Sequence, residues 1–149
     1  MIWILSFALA EIGVGVGMGF PTGVAIKGYL SPEIPNKNRY AFQGSLGGSL
    51  GKWGNVAATF DFTNQTPSMG DEEENYSTWF HYGGGAQAEY QYPIETPSAL
   101  FGAGFRIVLG GGIRFVKEKI EIHVDLAPTI IVFQQPTWVM QSQVGIRIF

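Results

Sequence analysis

His81 and His123 are the only two histidines in the 149 residues of this chain. Glu121, His123 and Asp125 alternate along one segment, so a strand there carries two carboxylates and an imidazole on a single face. Two imidazoles and a carboxylate are enough to ligate zinc. His81 is remote in sequence, however, and would join them only in one particular strand register. Hydrogen bonding inside a polar interior is therefore the expectation for these groups, with no metal and no cofactor. Ser45 and Ser49 stand in no nucleophile-elbow context and have no histidine and aspartate in a supporting order. The glycines recur at every second residue, which is neither GxGxxG nor a P-loop opening a helix. A hydrolytic carboxylate pair would need a cleft that nothing in the sequence indicates. With no cysteine at all, thiol catalysis, disulfides and cysteine-rich metal sites drop out. No catalytic residue is expected, and the chain is not read as an enzyme.

The remaining charges form a pattern of their own. Asp61, Glu89, Glu121 and Asp125 are matched by Lys27, Arg106, Arg114 and Arg147. Together with His81 and His123 they are the expected charge network of an interior, a salt-bridged plug with Arg106 and Arg147 as hubs. The guanidinium fork can serve two carboxylates at once.

Strands must position them. From Phe105 to Phe115, apolar Phe105, Ile107, Leu109, Ile113 and Phe115 alternate with Arg106, Val108, Gly110, Gly112 and Arg114. After Val116–Lys119, read as a tight reversal, Ile120, Ile122, Val124 and Leu126 alternate with Glu121, His123 and Asp125. A period of two over such lengths is a strand signal. The same alternation appears from Ile12 to Phe20, Val24 to Leu30, Tyr40 to Leu50, Val56 to Phe62, Thr78 to Tyr92 and Gln141 to Phe149. Turns or loops are expected at Phe20–Gly23, Ser31–Arg39, Gly51–Gly54, Asn64–Ser77, Pro93–Ser98 and Phe133–Val139. That makes eight strands joined by hairpins with nothing helical between them.

Which face meets water decides the class. Hydrophobic residues make up 46% of the chain and charged residues only 14%, about half the share usual in soluble domains. The charged face is diluted by glycine, as in Gly13, Gly15, Gly17 and Gly19. A solvent-facing strand gains nothing from such glycines, whereas a narrow barrel interior gains room for long side chains. Aromatic residues near strand ends suggest two girdles: Phe20, Trp53, Tyr92 and Trp138 towards one rim, Tyr29, Tyr40 and Trp79 towards the other. The expected fold is all-β, an eight-stranded antiparallel up-and-down transmembrane β-barrel with a wet interior. The net charge of -3 and the lack of a basic stripe argue against nucleic acid as a partner.

Residues 1–10 are nearly all apolar, and Ala8-Leu9-Ala10 fits a small-x-small cleavage site before Glu11. They are expected to be the remnant of a signal peptide, or else an ordinary first strand or helix; residues 11–149 form a single barrel domain. Pro21–Lys27, Tyr82–Ala86, Gly104–Gly110, Leu126–Pro128 and Gly145–Arg147 resemble recurrent pieces of a family of small bacterial outer-membrane β-barrel proteins with OmpA/OmpX-like, eight-stranded architecture. The resemblance implies that barrel and brings no catalytic residues. The implied setting is a monomer in the bacterial outer membrane, with the lipid bilayer and the outer-membrane assembly machinery as partners and a structural or surface-interaction role. Two alternatives stay open: a soluble lipocalin-like barrel holding a hydrophobic ligand, and an outer-membrane lipid-modifying enzyme. Phe149 departs from the pattern, since it shares phase with Arg147 instead of the lipid-facing residues. Either it turns outward beyond the sheet, or the last strand is shifted by one.

Overall fold

The computed structural model describes residues 10–34, 36–49, 53–69, 75–93, 100–115, 117, 119–132 and 136–149. Eight strands run in chain order: β1 (Glu11–Gly19), β2 (Thr22–Tyr29), β3 (Arg39–Ser49), β4 (Trp53–Gln65), β5 (Tyr76–Pro93), β6 (Leu100–Phe115), β7 (Ile120–Val132) and β8 (Pro136–Ile148). Each pairs antiparallel with the next, and β8 returns to β1, so the sheet is a closed meander barrel. Hairpin connections are all that such an order requires.

Several strands outrun the sequence pattern. β8 begins at Pro136, where a loop through Val139 was expected, because Pro136 sits at the strand's first position and needs to donate no ladder bond there. β6 begins at Leu100, and β4 and β5 extend through Gln65 and from Tyr76, which shortens the expected Asn64–Ser77 loop; Met69 then makes an isolated bridge to Thr78. The apolar segment 1–9, the acidic run 71–74 and residues 51 and 52 of the third turn lie outside the described residues.

Closure separates the two faces completely. The apolar set points out, with Phe105 81% exposed and Ile12, Val14, Val16, Leu46, Phe60, Ile107, Leu109, Val124 and Ile146 also exposed. Inside are Lys27, Asp61, His81, Glu89, Arg106, Glu121, His123, Asp125 and Arg147, all buried, with alanines and few large apolar groups. This is the reverse of an ordinary soluble core. A lipocalin-like arrangement needs the apolar set inside, and here it is outside.

Glycines make the interior possible at particular points. A Cβ on Gly15 would run into the backbone of Ile146 on β8, and one on Gly110 would meet the Asp125 carboxylate and the His81 imidazole. Gly110 lies between these two in the ladder, opposite His81 on β5 and Asp125 on β7. Removing its side chain lets theirs touch across it. Gly110→Ala is therefore expected to lose about 1–3 kcal/mol of stability, the usual toll of overpacking. Gly84, where a Cβ would make only an ordinary 3.5 Å contact with the Arg106 carbonyl, is the control. Urea unfolding of both variants checks the pair, and equal midpoints would refute the packing account.

Candidate functional site: the barrel interior

The interior divides into three tiers. At the end that holds Ala10 and Phe149, Glu11 at the start of β1 accepts from Arg39 on β3 at 3.1 Å and from both terminal nitrogens of Arg114 on β6, one of them at 3.0 Å. The Arg39 guanidinium lies 3.6 Å from the Tyr29 ring centre and that of Arg114 lies 4.6 Å from the ring of Phe149. Tyr29 and Phe149 are 5.7 Å apart, centre to centre. Two cations and two rings thus close this end around one carboxylate.

Phe149 consequently turns inward. The alternation of β8 holds as far as Ile148, and the Phe149 N–H then donates to the Lys119 carbonyl at 2.9 Å, which carries the ring over the lumen. A one-residue shift of β8 and an outward turn are both ruled out by this geometry.

The middle tier is ionic. Arg147 donates to Glu121 at 2.8 Å and its other terminal nitrogen lies 4.0 Å from Asp125, so one guanidinium faces two carboxylates. Lys27 is 3.7 Å from Glu121, donates to Gln65 at 3.1 Å and rests 4.0 Å from the Trp79 ring centre. His81 Nε2 is 3.1 Å from Asp125 Oδ1, its ring stacked on Trp79 at 5.1 Å, and His123 Nε2 is 4.0 Å from Asp125 Oδ2. The two histidines do reach the same carboxylate. No group of three or more His, Cys, Asp or Glu among the described residues is arranged to hold a metal ion.

Arg106 departs from its expected role as a hub. Its Nε lies 3.1 Å from Asp61, and its Nη1 donates to Gln141 at 3.3 Å, so it serves one carboxylate and one amide. A small cavity bordered by Gln43, Ser45, Thr59, Asp61, Arg106, Asp125 and Arg147 separates the Asp61 pair from the Arg147 group. Arg114 also lies apart from the middle tier, committed to Glu11.

The third tier, at the opposite end, centres on Glu89. Asn55, Gln87 and Gln91 donate their side-chain amides to its carboxylate at 3.0, 3.1 and 2.8 Å. The described ion pairs include none to Glu89.

The girdle residues divide. Trp138, Tyr40 and Tyr92 are exposed on the exterior, and Phe20 is half-buried in the β1–β2 turn. The side chain of Trp53 lies outside the described residues. Tyr29 and Trp79, at 0% and 1% exposure, are interior residues and belong to no outer girdle. Both share phase with charged lumen residues, Tyr29 with Lys27 and Trp79 with His81, and their rings serve as walls for those cations and imidazoles. Glu11 and Arg39 are charged interior residues that sequence reasoning missed. Glu11 keeps phase with Gly13 and Gly15, Arg39 with Ala41 and Gln43, so extending each alternation by one step would have found them.

Comparison with known proteins returns no matching family model, no matching curated protein and no matching solved structure. Fold and interior together define the class: a closed, eight-stranded antiparallel barrel, apolar outside and polar inside, consistent with the outer-membrane-barrel superfamily.

Proposed function

We propose that the chain is a monomeric integral protein of the bacterial outer membrane, with a structural or surface-interaction role and a lumen packed shut by its charge network. The observation that supports this best is the exterior. Outward positions on all eight strands carry exposed Ile, Val, Leu, Met, Phe, Tyr or Trp. In water so large an apolar surface would drive aggregation, whereas in hydrocarbon it is the favourable solution. A closed barrel also satisfies its ladder hydrogen bonds internally, as a bilayer demands. Pairing with the outer-membrane assembly machinery follows from that setting. The interior supports a plug better than a channel, because its ion pairs span the lumen: Lys27 on β2 with Glu121 on β7, Asp61 on β4 with Arg106 on β6, and His81 on β5 with Asp125 on β7.

The test is partition. Expressed behind a cleavable export signal, the protein is expected in the carbonate-resistant membrane fraction, migrating differently on detergent gels before and after heating. A monodisperse protein in detergent-free buffer would overturn the proposal.

A further inference from the structure

Glu89 is the odd member of the interior. Glu11, Asp61, Glu121 and Asp125 each have a cationic side chain within 4.0 Å. Glu89 is as buried as Asp61 and Asp125, at 3% exposure, and has only amide partners among the described residues. Three N–H donors soften the desolvation of a carboxylate without neutralising its charge.

A second observation points the same way. Gln87, also 3% exposed, spends its Nε2 on Glu89 Oε2, and its Oε1 is buried with no hydrogen-bond partner. Among the described residues, a carboxylate with no counter-charge therefore stands beside an unpaired carbonyl oxygen. Both come from β5, two residues apart on the inward face. Their neighbours across the ladder are Thr59 and Ala57 on β4 and Gly104 and Gly102 on β6, so the β6 side presents no side chain to crowd them. Asn55 and Gln91, the next pair towards the rim, are only half-buried, which leaves an approach from that mouth.

We infer that Glu89 and Gln87 form a binding site for a hard divalent cation at the mouth of the barrel opposite Phe149. The donor set is oxygen only, one carboxylate and one carboxamide carbonyl, which suits calcium or magnesium and not zinc or copper. Water completes the coordination shell. With a single protein carboxylate the affinity belongs in the weak range of extracellular modules, roughly 0.1–1 mM. The bound ion supplies the charge that Glu89 lacks among the described residues.

The test is a calcium titration of the full chain folded in a zwitterionic detergent after treatment with chelator. The readouts are the midpoint of the heat-induced gel shift and the amide NMR signals of β5, with sodium chloride at matched ionic strength as the reference. Calcium is expected to raise the midpoint by several degrees, saturating at millimolar concentration, and to shift signals around Gln87–Gln91. Glu89→Gln should lose the response. Gln87→Glu, which adds a second carboxylate, should tighten binding about tenfold. This gain-of-affinity variant keeps the test decisive even if Glu89→Gln fails to fold. No calcium response, a response that survives in Glu89→Gln, or no tightening in Gln87→Glu would each overturn the site. So would a response that arises only in Lys52→Ala, since Glu89 would then already be paired with that lysine of the β3–β4 turn.

Discussion

Arg147→Leu lowers the unfolding free energy of the barrel by about 3–5 kcal/mol, the usual loss when one partner of a buried ion pair is removed and the other stays. Arg147 faces Glu121 at 2.8 Å and Asp125 at 4.0 Å, both buried, and among the described residues the other ion-pair partners of Asp125 are the two histidines. Lys27 still neutralises part of Glu121 from 3.7 Å, which keeps the loss at the scale of one stranded charge. Adding Glu121→Gln to the leucine variant should recover part of the loss, so the double-mutant cycle yields a coupling energy and not merely a sum. Arg106→Leu, which strands only Asp61, should cost less. Urea titration of the protein in lipid vesicles, followed by tryptophan fluorescence, measures all three. A loss under about 1 kcal/mol in Arg147→Leu would mean that the polar interior is hydrated and screened, and the plug would have to be abandoned.

Leu109→Arg is the second large effect. Leu109 is half-exposed on the outward face near the middle of β6, paired with Tyr82 on β5 and Leu126 on β7. In a bilayer an arginine at midplane depth costs a transmembrane barrel about 2–4 kcal/mol. On a soluble barrel the same change at an exposed position falls within about 0.5 kcal/mol of neutral. Ile148→Arg, near the end of its strand, should be tolerated better, because lipid-face penalties fade towards the interface. The gradient between the two positions, measured in the same vesicles, tests where the bilayer sits and not only whether one is present.

The strand faces were legible because alternation carries one bit per residue, and every strand repeats that bit several times. The apolar set of β6 and β7 reads directly from Phe105–Leu126, and it is the outer face of the barrel. The ends were harder. Glu11 sits beside what reads as a cleavage site and Arg39 closes a polar connection, so neither is framed by alternation on both sides, and their meeting with Arg114 depends on barrel closure that only register specifies. Tyr29 and Trp79 show a different failure. Aromatic type suggested a lipid interface, whereas phase placed them beside Lys27 and His81, and phase was the better guide because a side chain cannot change face without a bulge. Among the described residues Glu89 has no cation beside it, for a reason no composition count reveals. Balanced totals of acids and bases say nothing about which of them lie at the same height in the barrel.

The strands are also unequal in length. β1 and β2 have nine and eight residues, while β5 and β6 have 18 and 16. β1 stops at Gly19 opposite Gln143, so the first half of β8 stands above it with no strand on that side among the described residues. At about 2.5 Å of height per tilted residue, the wall is roughly 20 Å tall beside the β1–β2 hairpin and at least 40 Å tall on the far side. A bilayer around such a barrel meets a hydrophobic mismatch that changes with direction. Lipids beside the low wall must thin or the barrel must lean towards it, and either response gives the molecule a preferred azimuth among its lipid neighbours.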